Sequence, residues 1–271
     1  MRREVIDKEL SKIMQDYWED FQFQLDEEKR FATSEEEYIV KPSIPIIWFG
    51  DMEKYRRSPL KIVTVALNPS KKEFSDNRFC GFKKICEKQV LDRDAQNVLY
   101  EVLSSYFEYN SYDEWFSSFK VPLNALGASY QTKNRDGVSI HSIALHIDVC
   151  TAIATNPTWG ELSKEQRRRL LEGKNKPRSL FLGLLGYLNP DVILYSANKR
   201  MLYEAFKLKD SDIDRHYPTD KKGFEIDTYF YEDILVIKGR NNRGTPFGLK
   251  GDFVRKTMLR IKEHYEDVFK K

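Results

Sequence analysis

The chain contains little cysteine and no cysteine pair of the kind that binds metal. Its three cysteines, Cys80, Cys86 and Cys150, form no CxxC motif within 271 residues. This odd, widely spaced set argues against a disulfide framework and against a four-cysteine zinc or iron–sulfur site. Histidine is also scarce, with four residues and no HExxH spacing. His141 and His146 flank a predicted strand, where we expect structural roles. We therefore expect neither a metal nor a cofactor.

Long hydrophobic runs and nucleotide-binding glycine motifs are absent as well. No stretch approaches the roughly 20 apolar residues that span a bilayer. The start of the chain, Met1-Arg-Arg-Glu-Val5, lacks the apolar segment of a secretion signal. The GxGxxG, Walker A and GxSxG patterns do not occur. We expect a cytoplasmic, monomeric protein that does not contact a membrane.

Neither sign of charge is in excess, because 45 basic residues balance 42 acidic ones to a net charge of +3. This balance alone does not indicate a nucleic-acid-binding protein. Basic residues beside predicted strand ends are better candidates for contacts with DNA phosphates, namely Lys71, Lys72, Arg240 and Arg243. A hydrophobic content of 41% with 13% aromatic residues indicates a globular fold.

The sequence does contain apolar strands that alternate with helical segments. The patterns predict strands at 62–67, 142–148, 191–195 and, in two parts, 225–238, and helices at 5–30, 94–107, 112–119, 163–187, 198–207 and 250–268. This alternation predicts a three-layer α/β/α fold with a mostly parallel central sheet of about four strands. We expect a helical N-terminal extension over residues 1–40 and a single α/β domain over residues 41–271.

The most informative segment is Lys61-Ile-Val-Thr-Val-Ala-Leu-Asn-Pro-Ser70. Its apolar part is typical of a buried parallel strand. Pro69 cannot donate to a strand ladder and favours an extended Asn68, so the strand must end here. Asn68 is therefore expected at the carboxyl end of a central strand, where open α/β sheets bind their ligands. The alternative is that Asn68 only caps the turn that follows the strand.

Three polar strand ends are expected at one edge of the predicted sheet. The first is Asn68-Pro-Ser70, the second is Asp148 with Thr151, and the third is Arg240-Asn-Asn-Arg243. Because the carboxyl ends of parallel strands share one edge, these groups are expected to line one pocket.

Val65-Ala-Leu-Asn-Pro-Ser70 resembles the first motif of the uracil-DNA glycosylase superfamily, which reads Gly-x-Asn-Pro-Gly in several branches. Leu145-His-Ile-Asp-Val-Cys150 is similar to the strand end that reads the base, and Ile237-Lys-Gly-Arg-Asn-Asn-Arg-Gly244 lies where the second motif and the intercalating loop would fall. The likeness covers roughly residues 44–265. The chain departs from the family at Ala66, at Ser70 and in lacking the His-Pro-Ser of the second motif, where Asn241 or Asn242 would substitute.

The resemblance implies hydrolysis of the N-glycosidic bond of a flipped-out base, which leaves an abasic site in DNA. The Asn68 side-chain carbonyl would hold the attacking water. In the uracil-reading branch an asparagine stands where this chain has Asp148, and an ionised carboxylate would repel the O4 of uracil. It would accept from the N4 amino group of cytosine, and with a pKa raised by burial it would also protonate N3. The alternative is that Asp148 pairs with an arginine or caps a helix.

Other expected site residues follow from the same likeness. Ser70 is small and leaves room for a 5-substituent, so we expect a 5-modified cytosine as substrate, otherwise uracil; this resembles the phage-defence glycosylases that excise hypermodified cytosines. Phe74 or Phe79 would stack on the base, or would be ordinary core residues, and Asn241 would contact it. Lys71, Lys72, Arg240 and Arg243 would bind phosphates. The alternatives are a non-catalytic nucleic-acid-binding module that senses a base and an α/β enzyme that acts on a nucleotide.

Overall fold

The computed structural model describes residues 6–31, 37–76, 78–132, 139–218, 225–239, 247 and 252–270. Within these residues the protein is α/β, with a six-stranded, mostly parallel sheet and a separate pair of short strands. The strands are β1 (Ile62–Ala66), β2 (Ala128–Ser129), β3 (Ser142–Ile143), β4 (Leu145–Asp148), β5 (Val192–Tyr195), β6 (Arg215–Tyr217), β7 (Ile226–Tyr231) and β8 (Ile234–Gly239).

The helices cover most of the segments predicted to be helical. They are α1 (Lys8–Phe31), α2 (Met52–Arg57), α3 (Arg93–Ser104), α4 (Asp113–Ala125), α5 (Lys164–Leu171), α6 (Pro177–Leu188), α7 (Lys199–Phe206), α8 (Asp252–His264) and α9 (Glu266–Phe269). The predicted helix at 163–187 is two helices, because a turn at residues 172–176 separates α5 from α6. Helix α2 was not predicted, since its six residues are too few to show a clear period.

The main sheet has the strand order β4-β1-β5-β8-β7-β6. Strand β5 pairs in parallel with β1 and with β8, so that Ile193 lies beside Val63 on one side and Val236 on the other. All residues of β1 and β5 are buried, as the apolar run in the sequence indicated. The prediction of an α/β class is therefore confirmed.

The predicted number of about four strands differs from the six that the described chain forms in this sheet. Beyond β8 the sheet continues with β7, which lies in the predicted segment 225–238, and with β6, which was not predicted; both are antiparallel to their neighbours. Strand β6 has only three residues, of which Arg215 and His216 are exposed, so no apolar run marks it in the sequence.

The chain divides by contacts into two compact units. Unit 1 comprises Met1–Phe49, Leu67–Ser111 and Ile147–Leu188, and unit 2 comprises Gly50–Ala66, Tyr112–His146 and Asn189–Lys271. Each of these units is built from three separate segments of the chain, whereas we expected a single boundary at residue 40. That boundary stays a prediction.

Helix α1 is part of the body of unit 1, where it packs against α6. Trp18 and Phe21 of this helix are buried. Near its end, Glu28 accepts hydrogen bonds from the backbone N–H groups of Tyr38 and Ile39, each at 2.7 Å. These bonds tie the helix to the extended segment that follows it.

Unit 2 contains a buried polar network that includes one side chain from β1 and one from β4. The Thr64 hydroxyl lies 2.6 Å from the Tyr130 hydroxyl and 2.8 Å from Nδ1 of His146. The His146 ring is surrounded by aromatic side chains, including Trp115 and Phe116. His146 is thus a hydrogen-bonded core residue, which agrees with the structural role expected for it.

Candidate functional site

The segment after β1 is hydrogen-bonded to the segment after β4, and both belong to unit 1. The carbonyl of Leu67 accepts from the N–H of Cys150 at 2.9 Å, and the carbonyl of Pro69 accepts from the N–H of Thr155 at 3.2 Å. The N–H of Lys71 donates back to the carbonyl of Thr155 at 3.3 Å. Two of the three predicted strand ends therefore lie side by side.

The side chain of Asn68 is held in one orientation by its amino group. Nδ2 donates to the carbonyls of Pro69 at 2.8 Å and Ile153 at 3.3 Å, and to Oγ1 of Thr155 at 3.0 Å. Because a carbonyl oxygen can only accept, the amino group must face the loop and the amide cannot be reversed. The half-buried Asn68 thus turns its Oδ1 away from these partners, and no other described residue donates to that oxygen.

Asp148 is the last residue of β4 and is only 9% exposed. Just after it, the Thr151 hydroxyl accepts from the N–H of Ile153 at 3.2 Å, which shapes the loop that carries the acceptors of Asn68. The third strand end, with Arg240, Asn241 and Arg243, lies outside the described residues, so its predicted convergence with the other two stays a prediction.

Glu73 is a buried carboxyl that the sequence did not single out. It is 5% exposed, in a short 3-10 turn (Lys71–Phe74), and accepts a hydrogen bond from the Tyr106 hydroxyl. Burial raises the pKa of the Glu73 carboxyl to about 7; the Tyr106 hydrogen bond opposes this rise, and the negative charge of Asp148 adds to it. The positive charges of Arg78 and Lys72 oppose it further. The Glu73 carboxyl is therefore partly protonated near neutral pH.

Helix α1 contributes a second unpredicted group, Tyr17. Burial raises the pKa of the Tyr17 phenol well above its usual value, and the negative charges of Asp20 and Asp148 raise it further. The phenol therefore remains a neutral hydrogen-bonding group within electrostatic range of Asp148. In the sequence, Tyr17 lies among the apolar residues of a helix and reads as a core residue.

Phe74 and Phe79 belong to an aromatic cluster in unit 1. Phe79 is 1% exposed, with ring centroids 4.7 Å from Tyr106 and 5.6 Å from Phe74. Phe74 is half-buried and also packs against Phe82, at 5.1 Å. Phe74 is thus the more accessible of the two rings proposed to stack on a base, while Phe79 forms part of the core.

Exposed lysines accompany this cluster along the chain. Lys71 and Lys72 are exposed on the turn that Ser70 caps, since the Ser70 hydroxyl accepts from the N–H of Lys72 at 3.3 Å. Lys83 and Lys84 are exposed on the next 3-10 turn. The segment therefore presents ammonium groups to solvent close in sequence to Asn68, as contacts with phosphates require.

A cavity of about 460 Å³ is present in unit 2, and none of the predicted site residues lines it. Among the described residues, no group of three or more His, Cys, Asp or Glu side chains is arranged to hold a metal ion. Within the same part of the chain, no helix has the length and apolar character needed to cross a membrane.

Comparison of the chain with models of protein families, with curated proteins and with solved structures finds no match.

The buried Glu73 carboxyl makes stability depend on pH. Because its pKa is raised when folded, its contribution is fully present below the ordinary value of 4.5 and is lost as the pH rises through about 7. Between pH 5 and pH 8 the free energy of unfolding should fall by about 2 to 3 kcal/mol from this group alone, at about 1.36 kcal/mol per pKa unit. Glu73→Gln keeps an acceptor for Tyr106 and should lose this slope.

Urea unfolding of both proteins at pH 5 and pH 8 measures the difference. The exposed Glu87→Gln substitution is the matched control and should retain the slope of the original chain. An unchanged slope in Glu73→Gln would show that the Glu73 carboxyl does not hold a proton in the folded state.

Proposed function

We propose that the protein is a monofunctional DNA glycosylase that hydrolyses the N-glycosidic bond of a flipped-out base and leaves an abasic site. The best-supported substrate is a 5-modified cytosine, as in hypermodified phage DNA, with uracil as the other candidate. The glycosylase-like, three-layer arrangement of the α/β fold, the monomeric state and the cytoplasmic location belong to the same proposal. The observation that supports it is the fixed orientation of the Asn68 amide, whose amino group donates to the loop and whose oxygen accepts from no described residue.

The group that holds the attacking water need not be a strong base. The transition state resembles an oxocarbenium ion at the sugar, so a weak nucleophile suffices if it is well placed. An amide oxygen accepts one O–H bond of a water and directs its lone pair at the anomeric carbon. The three hydrogen bonds of the Asn68 amino group supply the rigidity that such placement requires.

Asp148 supports cytosine over uracil. Its side chain lies in the segment that adjoins Asn68, and its negative charge adds to the rise in the pKa of Glu73. An ionised carboxylate accepts from the N4 amino group of cytosine and repels the O4 of uracil. The side chain of Ser70 is small and half-buried, which leaves space beside the base for a 5-substituent.

The remaining roles concern the DNA around the flipped base. Lys71 and Lys72 are exposed and would neutralise backbone phosphates. Phe74 would cover one face of the base, with Phe79 behind it in the core. The roles that the resemblance implies for Asn241, Arg240 and Arg243 stay predictions, because these residues lie outside the described part of the chain.

The other candidate is a module that binds nucleic acid without cleaving the glycosidic bond. The hydrogen bonds of Asn68 would serve it equally well, because they stabilise the loop whether or not a water is activated. The two functions differ in one product, the abasic site.

Asn68→Ala should lower base release by about 100-fold or more, within the range for loss of a group that positions or activates a reactant, while DNA binding changes little. The assay incubates the purified chain with oligonucleotides that contain uracil, cytosine, 5-hydroxymethylcytosine or its glucosylated form, and detects abasic sites as alkali-sensitive breaks. Thr155→Val is the matched control, since it removes one loop acceptor of Asn68 but leaves the amide oxygen in place. It should keep turnover within about 5-fold, as expected for loss of one hydrogen bond.

A folded Asn68→Ala variant with full turnover would exclude the water-holding role. Equal losses in Asn68→Ala and Thr155→Val would show that Asn68 acts through loop structure alone. If the unmodified chain binds these oligonucleotides and produces no abasic sites, the binding module is the correct function.

Asp148→Asn should move the preference from cytosine-type bases toward uracil by about 10-fold or more, because one base-reading contact is worth about 1–3 kcal/mol. The ratio of kcat/KM for the two bases is the measurement. Asp20→Asn is the control, because Asp20 is another buried aspartate of unit 1 that lies on α1. An unchanged ratio in Asp148→Asn would remove Asp148 from base recognition.

A further inference from the structure

Unit 2 has a concave site that the proposed glycosylase chemistry does not use. The cavity of about 460 Å³ is formed by the edge strand β6 and helix α8. Its lining is rich in basic and aromatic groups, and consists of Arg215, His216, Tyr217, Arg260, Glu263 and His264. The volume greatly exceeds the roughly 30 Å³ of a water molecule and lies in the range of small-molecule sites.

Two arginines of the lining act electrostatically on one tyrosine, Tyr217. The Arg260 guanidinium carbon lies 5.8 Å from the centre of the Tyr217 ring. The pKa of the Tyr217 phenol is raised by burial, and the positive charges of Arg215 and Arg260 each oppose that rise. Both charges therefore act on the same hydroxyl, although one comes from a strand and the other from a helix.

Neither guanidinium forms an ion pair with any described residue. Glu263 lines the cavity one turn after Arg260, yet it is not within ion-pair distance of either arginine in the described chain. The carboxylate of Asp214 acts on Tyr217 as well, but it accepts a hydrogen bond from the Tyr265 hydroxyl. Two cations that line one cavity, neither of them paired with a described carboxylate, favour an anion as their partner.

Two histidines also line the cavity, His216 and His264. Nδ1 of His216 lies 2.8 Å from Oδ1 of Asp227, a carboxylate that is nearly buried. Because a carboxylate oxygen only accepts, this contact assigns a proton to Nδ1 of His216. His264 completes the lining from the last turn of α8.

We propose that this cavity binds a phosphate group, with Arg215 and Arg260 as its two charged donors. A guanidinium group matches the oxygens of a phosphate with a bidentate geometry that lysine does not offer, and two such groups line this cavity. The phosphate belongs either to a nucleoside monophosphate or to a nucleic-acid backbone. The site goes beyond the proposed function, because unit 2 carries it and none of the glycosylase residues described above lines it.

The test measures binding to the full chain by isothermal titration calorimetry, with inorganic phosphate and adenosine monophosphate as probes. Arg215→Gln and Arg260→Gln should each weaken both affinities by about 10-fold, as expected for loss of one hydrogen bond to a charged group. Arg255→Gln removes the same charge from an exposed position of α8 that does not line the cavity, and should change affinity by less than about 2-fold. Circular dichroism confirms that each variant is folded.

A fluorescent single-stranded oligonucleotide without a terminal phosphate distinguishes the two sources. Weaker oligonucleotide binding in Arg215→Gln and Arg260→Gln, but not in Arg255→Gln, assigns the site to backbone phosphates. Unchanged oligonucleotide binding with weakened adenosine monophosphate binding assigns it to a nucleotide. The proposal is overturned if no probe saturates the chain, or if Arg255→Gln weakens binding as much as the cavity variants do. Neither result alters the abasic-site assay, so the glycosylase proposal is tested independently of the phosphate site.

Discussion

The hydrogen bonds of the Asn68 amino group are the constraint on which the proposed site depends. They link the loop after β1 to the loop after β4 through the Ile153 carbonyl and the Thr155 hydroxyl, and the Pro69 carbonyl adds a contact within the first loop. One amide thereby does two things at once: its nitrogen end stabilises the loops, and its oxygen end is directed away from them. A loop-stabilising role and a catalytic role for Asn68 are therefore compatible, and they reside on different atoms.

Burial governs the chemistry of the groups around this amide. Glu73 and Tyr17 are both buried in unit 1, and removal from water disfavours the charged form of each. Burial is the main cause that raises the pKa of Glu73 to about 7, and the negative charge of Asp148 adds to the rise. Near neutral pH the Glu73 side chain therefore exists in both its protonated and its ionised form.

The sequence predicted those features that local chemistry dictates. The buried run of β1 and its end before Pro69 follow from side-chain branching and from the missing proline N–H, and the neighbouring position of Asp148 follows from the rule for parallel strands. Glu73 was missed because Lys71-Lys-Glu-Phe74 reads as a solvated, charged turn, and its burial arises only when Tyr106 and the aromatic rings pack around it. Tyr17 was missed since its relation to Asp148 joins residues 131 positions apart in the chain.

The most direct test of the account is a crystal structure of the chain with DNA that carries a non-hydrolysable analogue of the target nucleotide. The account predicts an ordered water about 2.8 Å from Oδ1 of Asn68, a normal hydrogen-bond length, on the face of the sugar opposite the base. The amino group of Asn68 should still donate to the carbonyls of Pro69 and Ile153. An Oδ1 that is covered by protein, or an amide turned so that its nitrogen faces the sugar, would contradict the central claim.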